Sequence, residues 1–408
     1  LSQTKAPASG KSGSSDKVIA KVFHEIEGIG ADVWDQCARA KAPELKAGAG
    51  NPFTRFAFLD ALEKSGSVCR EAGWAPYHIG VFDADDRCLG VVPMYLKSHS
   101  QGEYVFDHAW ADAYYRAGRD YYPKLQVSVP FTPATGRRLL SAPGAPSDRT
   151  EAQLLSAAVE VTNQLDVSSL HFTFLPEDQW QRLGDFGLLK RTDQQFHWQN
   201  QGYESFEDFM AALASRKRKN LRKEREGALE NDIEIEWITG RDLKEHHWDA
   251  FYRFYLDTGR RKWGRPYLTR PFFSLIGEQM ADQTLLILCK RGGRYIAGAL
   301  NFLGDDCIFG RHWGCIEEHR FLHFEACYYQ AIDYAIAHKI RRVEAGAQGA
   351  HKLARGYVPT LTYSAHYIPD PQFLAAIANY LEQERDHVEA HAQLLSEHAP
   401  FRNSHGSS

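Results

Sequence analysis

The chain has 408 residues, 43% of them hydrophobic and 25% charged, an ordinary globular composition that at roughly 150 residues per domain predicts two or three domains. Collagen, coiled coil and disorder along the whole length are excluded. Forty-eight Lys and Arg against fifty-two Asp and Glu leave a formal charge of −4, so a nucleic-acid or anionic-membrane partner has to be held by a local patch. The longest apolar runs, such as TLLILC at 284–289, are far shorter than the ~18–20 residues of a membrane-spanning helix. The start carries no basic-then-apolar signal pattern, and the chain reads as cytoplasmic. Seven cysteines without a CxxC pair, several inside apolar runs, predict reduced buried thiols rather than a disulfide framework or a metal site.

Residues 1–16 (LSQTKAPASGKSGSSD) have almost nothing to bury and read as a disordered tail. From there the same order of elements occurs twice. In the first half, 51–66 reads as a helix opened by Asn and Pro, and 77–97 as a hairpin with an acidic turn. A helix then leads into a strand over 151–175. In the second half a helix at 270–280 precedes a hairpin at 284–304, and a helix from 324 leads into a strand before 349. Phe324, Cys327, Tyr328, Ala331, Ile332, Ala335 and Ile336 keep three-then-four spacing, so one face of that helix packs on a sheet. A closing amphipathic helix is predicted over 371–396. The fold class is therefore α+β in two domains, 17–199 and 200–385, with the end of the closing helix and a frayed tail at 386–408.

Three segments carry candidate chemistry. The run SRKRKNLRKER holds seven cations between Arg216 and Arg225 and continues a helical stretch whose stripe is Phe206, Phe209, Met210 and Leu213; such a patch in an acidic protein suits a phosphate-bearing ligand such as RNA, a nucleotide or a coenzyme. Residues 97–138 lack clear periodicity, are dense in aromatic, acidic and His residues, and read as a long functional loop region. There Asp107, His108 and Asp112 could form an acid/base cluster, with Lys124 and Arg138 as binders of anionic groups. The third segment joins GRHWG (310–314), HRFLHFE (319–325) and EAGAQGAHKLARGY (344–357), whose glycines permit close backbone approach and whose cations suit phosphates. Walker, GxGxxG, GxSxG and HExxH patterns are absent.

At these segments the chain resembles the FemAB-like proteins of the GNAT (acyl-CoA N-acyltransferase) superfamily, labelled peptidoglycan biosynthesis or recognition proteins. The resemblance is carried by NPFTRFAFLDALEKSGSV (51–68), YLKSHSQGEYVFDHAWADAY (95–114), YYPKLQVSVPFTPATGRRLL (121–140), FEACYYQAIDYAI and VEAGAQGAHKLARGY. It implies tandem GNAT-like domains, each a mixed, mostly antiparallel sheet flanked by helices. It also implies transfer of an activated acyl or aminoacyl group to an amine, with aminoacyl-tRNA or acyl-CoA as donor, a cell-wall-precursor or small-molecule amine as acceptor, and no tightly bound cofactor or metal. A non-catalytic ligand-binding protein on the same fold is the alternative from another class. The glycine turn that cradles coenzyme A pyrophosphate in the superfamily is missing, since no glycine lies between Glu317 and Tyr329.

Amide formation needs a proton acceptor for the amine and donors for the developing oxyanion. Asp112, His108 and Glu325 are the expected proton acceptors. Lys97, Asp107, Trp110, Tyr122, Lys124 and Arg138 from the first half are the expected substrate-binding residues, with Arg218, Arg222, Arg311, Trp313, Lys352 and Arg355 from the second.

Overall fold

The computed structural model describes residues 18–39, 50–261, 266–346 and 349–401; the tail expected at 1–16 lies outside them, as do residues 402–408 at the other end. The predicted helices form at Phe56–Lys64, Ser147–Gln164, Arg270–Gln279, Gln330–Ala337 and Pro371–Glu397. Asn51 accepts the backbone N–H of Phe53 at 3.0 Å, capping the turn that leads into the first of these.

The strands are β1 (Ile19–Phe23), β2 (Trp74–Pro76), β3 (His78–Phe82), β4 (Cys88–Val92), β5 (Met94–Lys97), β6 (Lys124–Val127), β7 (Leu140–Ser141), β8 (Leu170–Leu175) and β9 (Leu189–Gln199) in the first half. The second half contributes β10 (Ile233–Thr239), β11 (Thr284–Arg291), β12 (Arg294–Leu303), β13 (Cys307–Cys315), β14 (Arg342–Glu344) and β15 (Val358–Tyr367). Strands β1-β3-β4-β7 make a small sheet, and β10-β11-β12-β13-β14-β9-β15-β8-β6-β5-β2 make a large one that runs through both halves. The hairpin of the second half forms as β11 and β12. Its counterpart is cut by Pro93, which has no N–H for a ladder, so β4 stays in the small sheet while β5 joins the large one.

Two other expectations are corrected. The stretch 97–138 is not loop throughout: it contains the helix His108–Arg116 and strand β6. Trp110, Ala111 and Tyr114 of that helix are buried against the closing helix through Ile377 and Leu381, so a distant element supplies the packing that local periodicity does not announce. The basic run does not continue the preceding helix. Phe206–Ala212 ends at Leu213, whose ψ of 152° is extended, and a new helix spans Ser215–Ala228. At the break the Ala214 N–H goes to Pro400 O at 2.9 Å and Leu213 bridges Phe401, so hydrogen bonds to the chain's end replace helical ones.

The halves exchange their last strands. β9 pairs with β14 of the second half, β15 pairs with β8 of the first, and β9 and β15 pair with each other from Val358↔His197 to His366↔Leu189. A buried histidine pair pins the β8–β15 seam, His171 Nδ1 and His366 Nδ1 lying 2.7 Å apart. Ser169 Oγ and Ser364 Oγ approach the outer nitrogens at 2.7 and 3.2 Å. One ring donates to the other, which two neutral imidazoles satisfy.

Burial pushes both histidines well below their ordinary pKa, so the folded state takes up these protons less readily than the unfolded chain. Their contribution is fully present above the unfolded histidine pKa of ~6.5 and is lost as the pH falls below it. The urea midpoint is expected to drop between about pH 6.5 and 4.5, and His366→Gln should flatten that dependence by about 1.4 kcal/mol per pH unit for the one titrating group removed. Urea titrations at a series of pH values check this, and an unchanged slope in the variant would show that the pair does not titrate on unfolding.

Candidate functional site

Strands β13 and β14 run parallel for only three residue pairs, Cys307↔Arg342, Ile308↔Val343 and Phe309↔Glu344. Beyond Phe309, β13 continues to Cys315 paired with β12 alone, while the other chain leaves through Ala345 and Gly346. Backbone groups of β13 that face the opening lose their strand partner there and are available to a ligand. Gly346 makes the departure with φ +79°, a conformation that favours glycine.

The opening is a cavity of about 450 Å³, walled by Tyr255, Tyr267, Arg311, Trp313 and Tyr328 and reached by Tyr104 from the first half. Its shape comes from a bulge: Leu300 pairs with His312 and Asn301 with Gly310, which leaves Arg311 as the extra residue on β13. A bulge re-aims the side chain it carries, and the Arg311 guanidinium donates to Phe131 O of the first half. Gly314 admits the neighbouring helix, since a Cβ there would lie 2.2 Å from Phe254 O.

Asn301 is buried on the cavity wall. Its Nδ2 donates to Leu285 O and Ala299 O at 3.3 and 3.4 Å, which leaves Oδ1 buried without a partner among the described residues. A buried acceptor of that kind on a cavity wall is open to a donor from water or a ligand. Glu344, where the strands part, is also buried, and neither carboxylate oxygen has a hydrogen-bond partner among the described residues. Arg342 Nε approaches its Oε1 at 3.3 Å, yet burial outweighs that attraction and pushes the Glu344 carboxyl up to about 7. His312, buried and edge-on to Tyr255 at 5.1 Å, is held neutral, its pKa driven down to about 3 by burial and then by the Arg311 charge.

The expected site residues separate into groups. Lys352 is buried in the 349–357 turn and donates to Gly346 O at 3.0 Å, with burial lowering its pKa to about 8. Arg355 makes a two-pronged pair with Glu224 at 2.8 and 3.1 Å and lies 3.5 Å over the Phe324 ring. Trp313 lines the cavity, edge-on to His323 at 5.4 Å. Glu325 has no exposed surface; its carboxylate takes two bonds from Arg225, at 2.9 and 3.2 Å, and one from Gln330 at 2.7 Å. It is not among the cavity's lining residues. The segment Glu325–Tyr329 forms a π turn, and the basic helix docks on it through Arg225 and Glu224. Arg222 pairs with Glu207 at 2.8 Å in solvent, while half-buried Arg218 has no ion-pair partner among the described residues.

In the first half, Lys97, Asp107 and Lys124 meet in one buried network. Lys124 Nζ donates to Glu103 at 2.7 Å, to Ser100 Oγ at 2.9 Å and to Asp107. Tyr121 OH donates to the same Asp107 oxygen at 2.6 Å. Burial by itself would raise the Asp107 carboxyl, but the Lys124 charge beside it overcomes that effect and holds it below its usual range. Trp110 packs over the histidine pair and Tyr122 donates to, or accepts from, Ser100 Oγ at 2.7 Å. His108 and Asp112 are exposed on the other side of their helix, so only Asp107 of the expected acid/base cluster joins the network.

Arg138 is fully buried and gives its guanidinium to Thr173 O, Gly136 O and Ala134 O at 3.1, 2.9 and 2.8 Å. It fills the place where β6 and β8, the parallel pair of the first half, part company after Val127 and Phe172. Asn301, His312, Tyr328 and Glu344 were not among the expected site residues. A lone polar residue inside an apolar strand, as in YIAGALNFLG, is the signal that marks the first of them.

The chain matches the FemAB-like family, described as peptidoglycan biosynthesis/recognition, over residues 25–403. It belongs to that family. Among solved structures it is similar to FemX, at 12% identity with a TM-score of 0.53, covering 85% of this chain and 98% of that one. A tandem GNAT protein from the clavulanic acid biosynthesis pathway gives 11% identity, a TM-score of 0.46 and coverage of 87% and 99%. L-PGS from Bacillus licheniformis gives 9%, 0.46, and 79% and 95%. No curated protein sequence matches the chain. No helix among the described residues is long and apolar enough to cross a membrane.

Glu325→Ala removes the larger part of Arg225's compensation at a buried contact, and the expected cost is about 2–4 kcal/mol of stability. Urea unfolding measures it, alongside the turnover per folded molecule. Loss of rate with stability unchanged would make Glu325 catalytic instead of structural.

Proposed function

We propose that the protein is an N-acyltransferase that joins an activated acyl or aminoacyl group to an amine in the opening between β13 and β14. The observation that carries this reading is the parted pair itself, with Asn301 Oδ1, an acceptor without a hydrogen-bond partner among the described residues, on the cavity wall, and the buried Glu344 carboxylate, approached by Arg342 at 3.3 Å, behind the point where the strands part. In this mechanism the incoming amine donates an N–H to Asn301 Oδ1 and loses its extra proton to Glu344. The neutral nitrogen then attacks the ester or thioester carbonyl, the tetrahedral intermediate breaks its C–O or C–S bond to expel the carrier's oxygen or sulfur, and the second proton lost by the nitrogen goes to that leaving group. Freed N–H groups of β13 face the developing oxyanion, and Arg311 adds positive charge nearby. Tyr255, Tyr267, Trp313 and Tyr328 exclude water, which would hydrolyse the donor.

Aminoacyl-tRNA is the donor and a cell-wall-precursor amine the acceptor in this reading. Two features support it over acyl-CoA. The segment before the helix Gln330–Ala337 contains no glycine and forms a π turn, which does not provide the glycine turn that coenzyme A pyrophosphate uses. Beside it, Arg216, Lys217, Arg218, Lys219 and Lys223 have no ion-pair partner among the described residues, and this row suits a phosphate backbone.

Incubation with aminoacyl-tRNA and a nucleotide-linked cell-wall precursor should give the amide product by mass spectrometry, and a salt-sensitive rise in the thermal midpoint with the tRNA. A product formed with acyl-CoA alone would replace the donor, and saturable binding without product under every donor would make the protein a binder. Glu344→Gln should lower kcat/KM by about 100-fold, the usual scale for a positioned base. A base acts when deprotonated, so the wild-type rate should rise with pH through about 7, following the raised Glu344 carboxyl. The variant should lose that limb; a retained limb would exclude Glu344 as the base.

A further inference from the structure

The helix Ala31–Arg39 packs on β4 and brings Cys37 against Cys88. The Cys37 thiol donates a hydrogen bond to Cys88 Sγ, and Cys88 in turn donates to Gly90 O at 3.5 Å. The two sulfurs are therefore in contact while both are free thiols. Cys88 is half-buried and opens β4 directly after the exposed residues 84–87, so a small solute reaches it from solvent. Cys37 is buried, lines a cavity of about 410 Å³ and has to reach Cys88 alone. The backbone beside Cys88 is irregular: Phe82 pairs with Cys88 and Val81 with Gly90, which leaves Leu89 as a bulge. A strand end of that kind can yield the short movement that separates sulfurs in contact from an S–S bond of about 2.05 Å.

We propose that Cys37 and Cys88 are an oxidation site, a thiol pair that a small hydroperoxide converts to a disulfide. The Cys88 thiolate attacks one peroxide oxygen, so that an S–O bond forms, the O–O bond breaks, and the other oxygen leaves with the electron pair and takes the Cys88 proton as water. The Cys37 sulfur then attacks the Cys88 sulfenic acid; the S–S bond forms, the S–O bond breaks, and the departing hydroxide takes the Cys37 proton as a second water. The sum is two thiols plus one hydrogen peroxide to one disulfide plus two waters, with the sulfurs oxidised and the peroxide reduced. The roles follow the hydrogen bond, which draws the Cys88 thiol below its ordinary pKa against the effect of burial and raises Cys37. The sulfur that ionises is thus the one nearer solvent. The new bond would fasten to β4 the helix that holds the turn before Phe56, where Trp34 Nε1 donates to Thr54 O and Asp35 accepts the Phe56 N–H, both at 2.8 Å.

The test exposes the reduced full chain to a small excess of hydrogen peroxide near neutral pH, blocks the remaining thiols with iodoacetamide in denaturant, and maps a non-reduced tryptic digest by mass spectrometry. Trypsin places Cys37 in the peptide 22–39 and Cys88 in 88–97, each without another cysteine. These two peptides should appear linked, and the link should form severalfold faster than Cys69, which is also half-buried, loses its thiol. The count of free thiols should fall by two of the seven and return with dithiothreitol. Cys37→Ser should leave Cys88 as a sulfenic acid that dimedone labels, and Cys88→Ser should leave Cys37 unlabelled. Peptides 22–39 and 88–97 that stay unlinked, a link between other cysteines, Cys69 oxidised first, or dimedone on Cys37 in place of Cys88 would overturn the proposal, and the wild-type map decides even where a variant fails to fold.

Discussion

The pairing of β9 with β15 is the constraint on which the rest of the molecule depends. Each strand closes the other half's sheet, so neither half can complete its hydrogen bonding alone. The exchange fixes β14 beside β9, which sets where β13 and β14 part. It also brings His366 from the end of the chain against His171. A change at either seam therefore reaches the cavity through the large sheet and not through a flexible linker.

The two halves use one plan for different ends. Both have a parallel pair that separates after three residues, β6 with β8 and β13 with β14. In the first half the separation is filled by Arg138, held by backbone carbonyls, and by Gln126, whose Nε2 donates to Thr173 Oγ1 at 3.0 Å. In the second it is open and lined by aromatic rings. A filled separation is a structural joint, and an open one with unpartnered polar atoms is a place for chemistry. The polar groups of the first half are gathered instead around Lys124, with Glu103, Asp107 and Ser100.

Periodicity in the sequence was enough for the main helices, for the hairpin of β11 and β12, and for the doubled order of elements, because each rests on local spacing of apolar residues. What it missed depended on distant partners. Arg138 reads as an anion binder in isolation, yet its carbonyl cage comes from 134–136 and from β8. Glu325 falls off the apolar stripe and reads as a proton acceptor, yet the basic helix covers it with Arg225. The strand break at Pro93 was readable from proline's missing donor. Residues 97–138 hid a helix because its buried face is covered by Ile377 and Leu381, more than two hundred residues away.

The basic helix shows how one sequence feature serves two purposes. Glu224 and Arg225 face inward, and their pairs with Arg355, Glu325 and Asp333 tie the helix to the wall segment of the cavity and to the turn after β14. Those ion pairs are at least partly shielded from solvent, so salt screens them less than exposed charges. The cations left over, Arg216 to Lys219 and Lys223, are exposed or half-buried, have no ion-pair partner among the described residues and remain open to counter-ions. Ionic strength should therefore weaken what the outer face attracts well before it loosens the helix from the cavity wall, which separates ligand attraction from the integrity of the site.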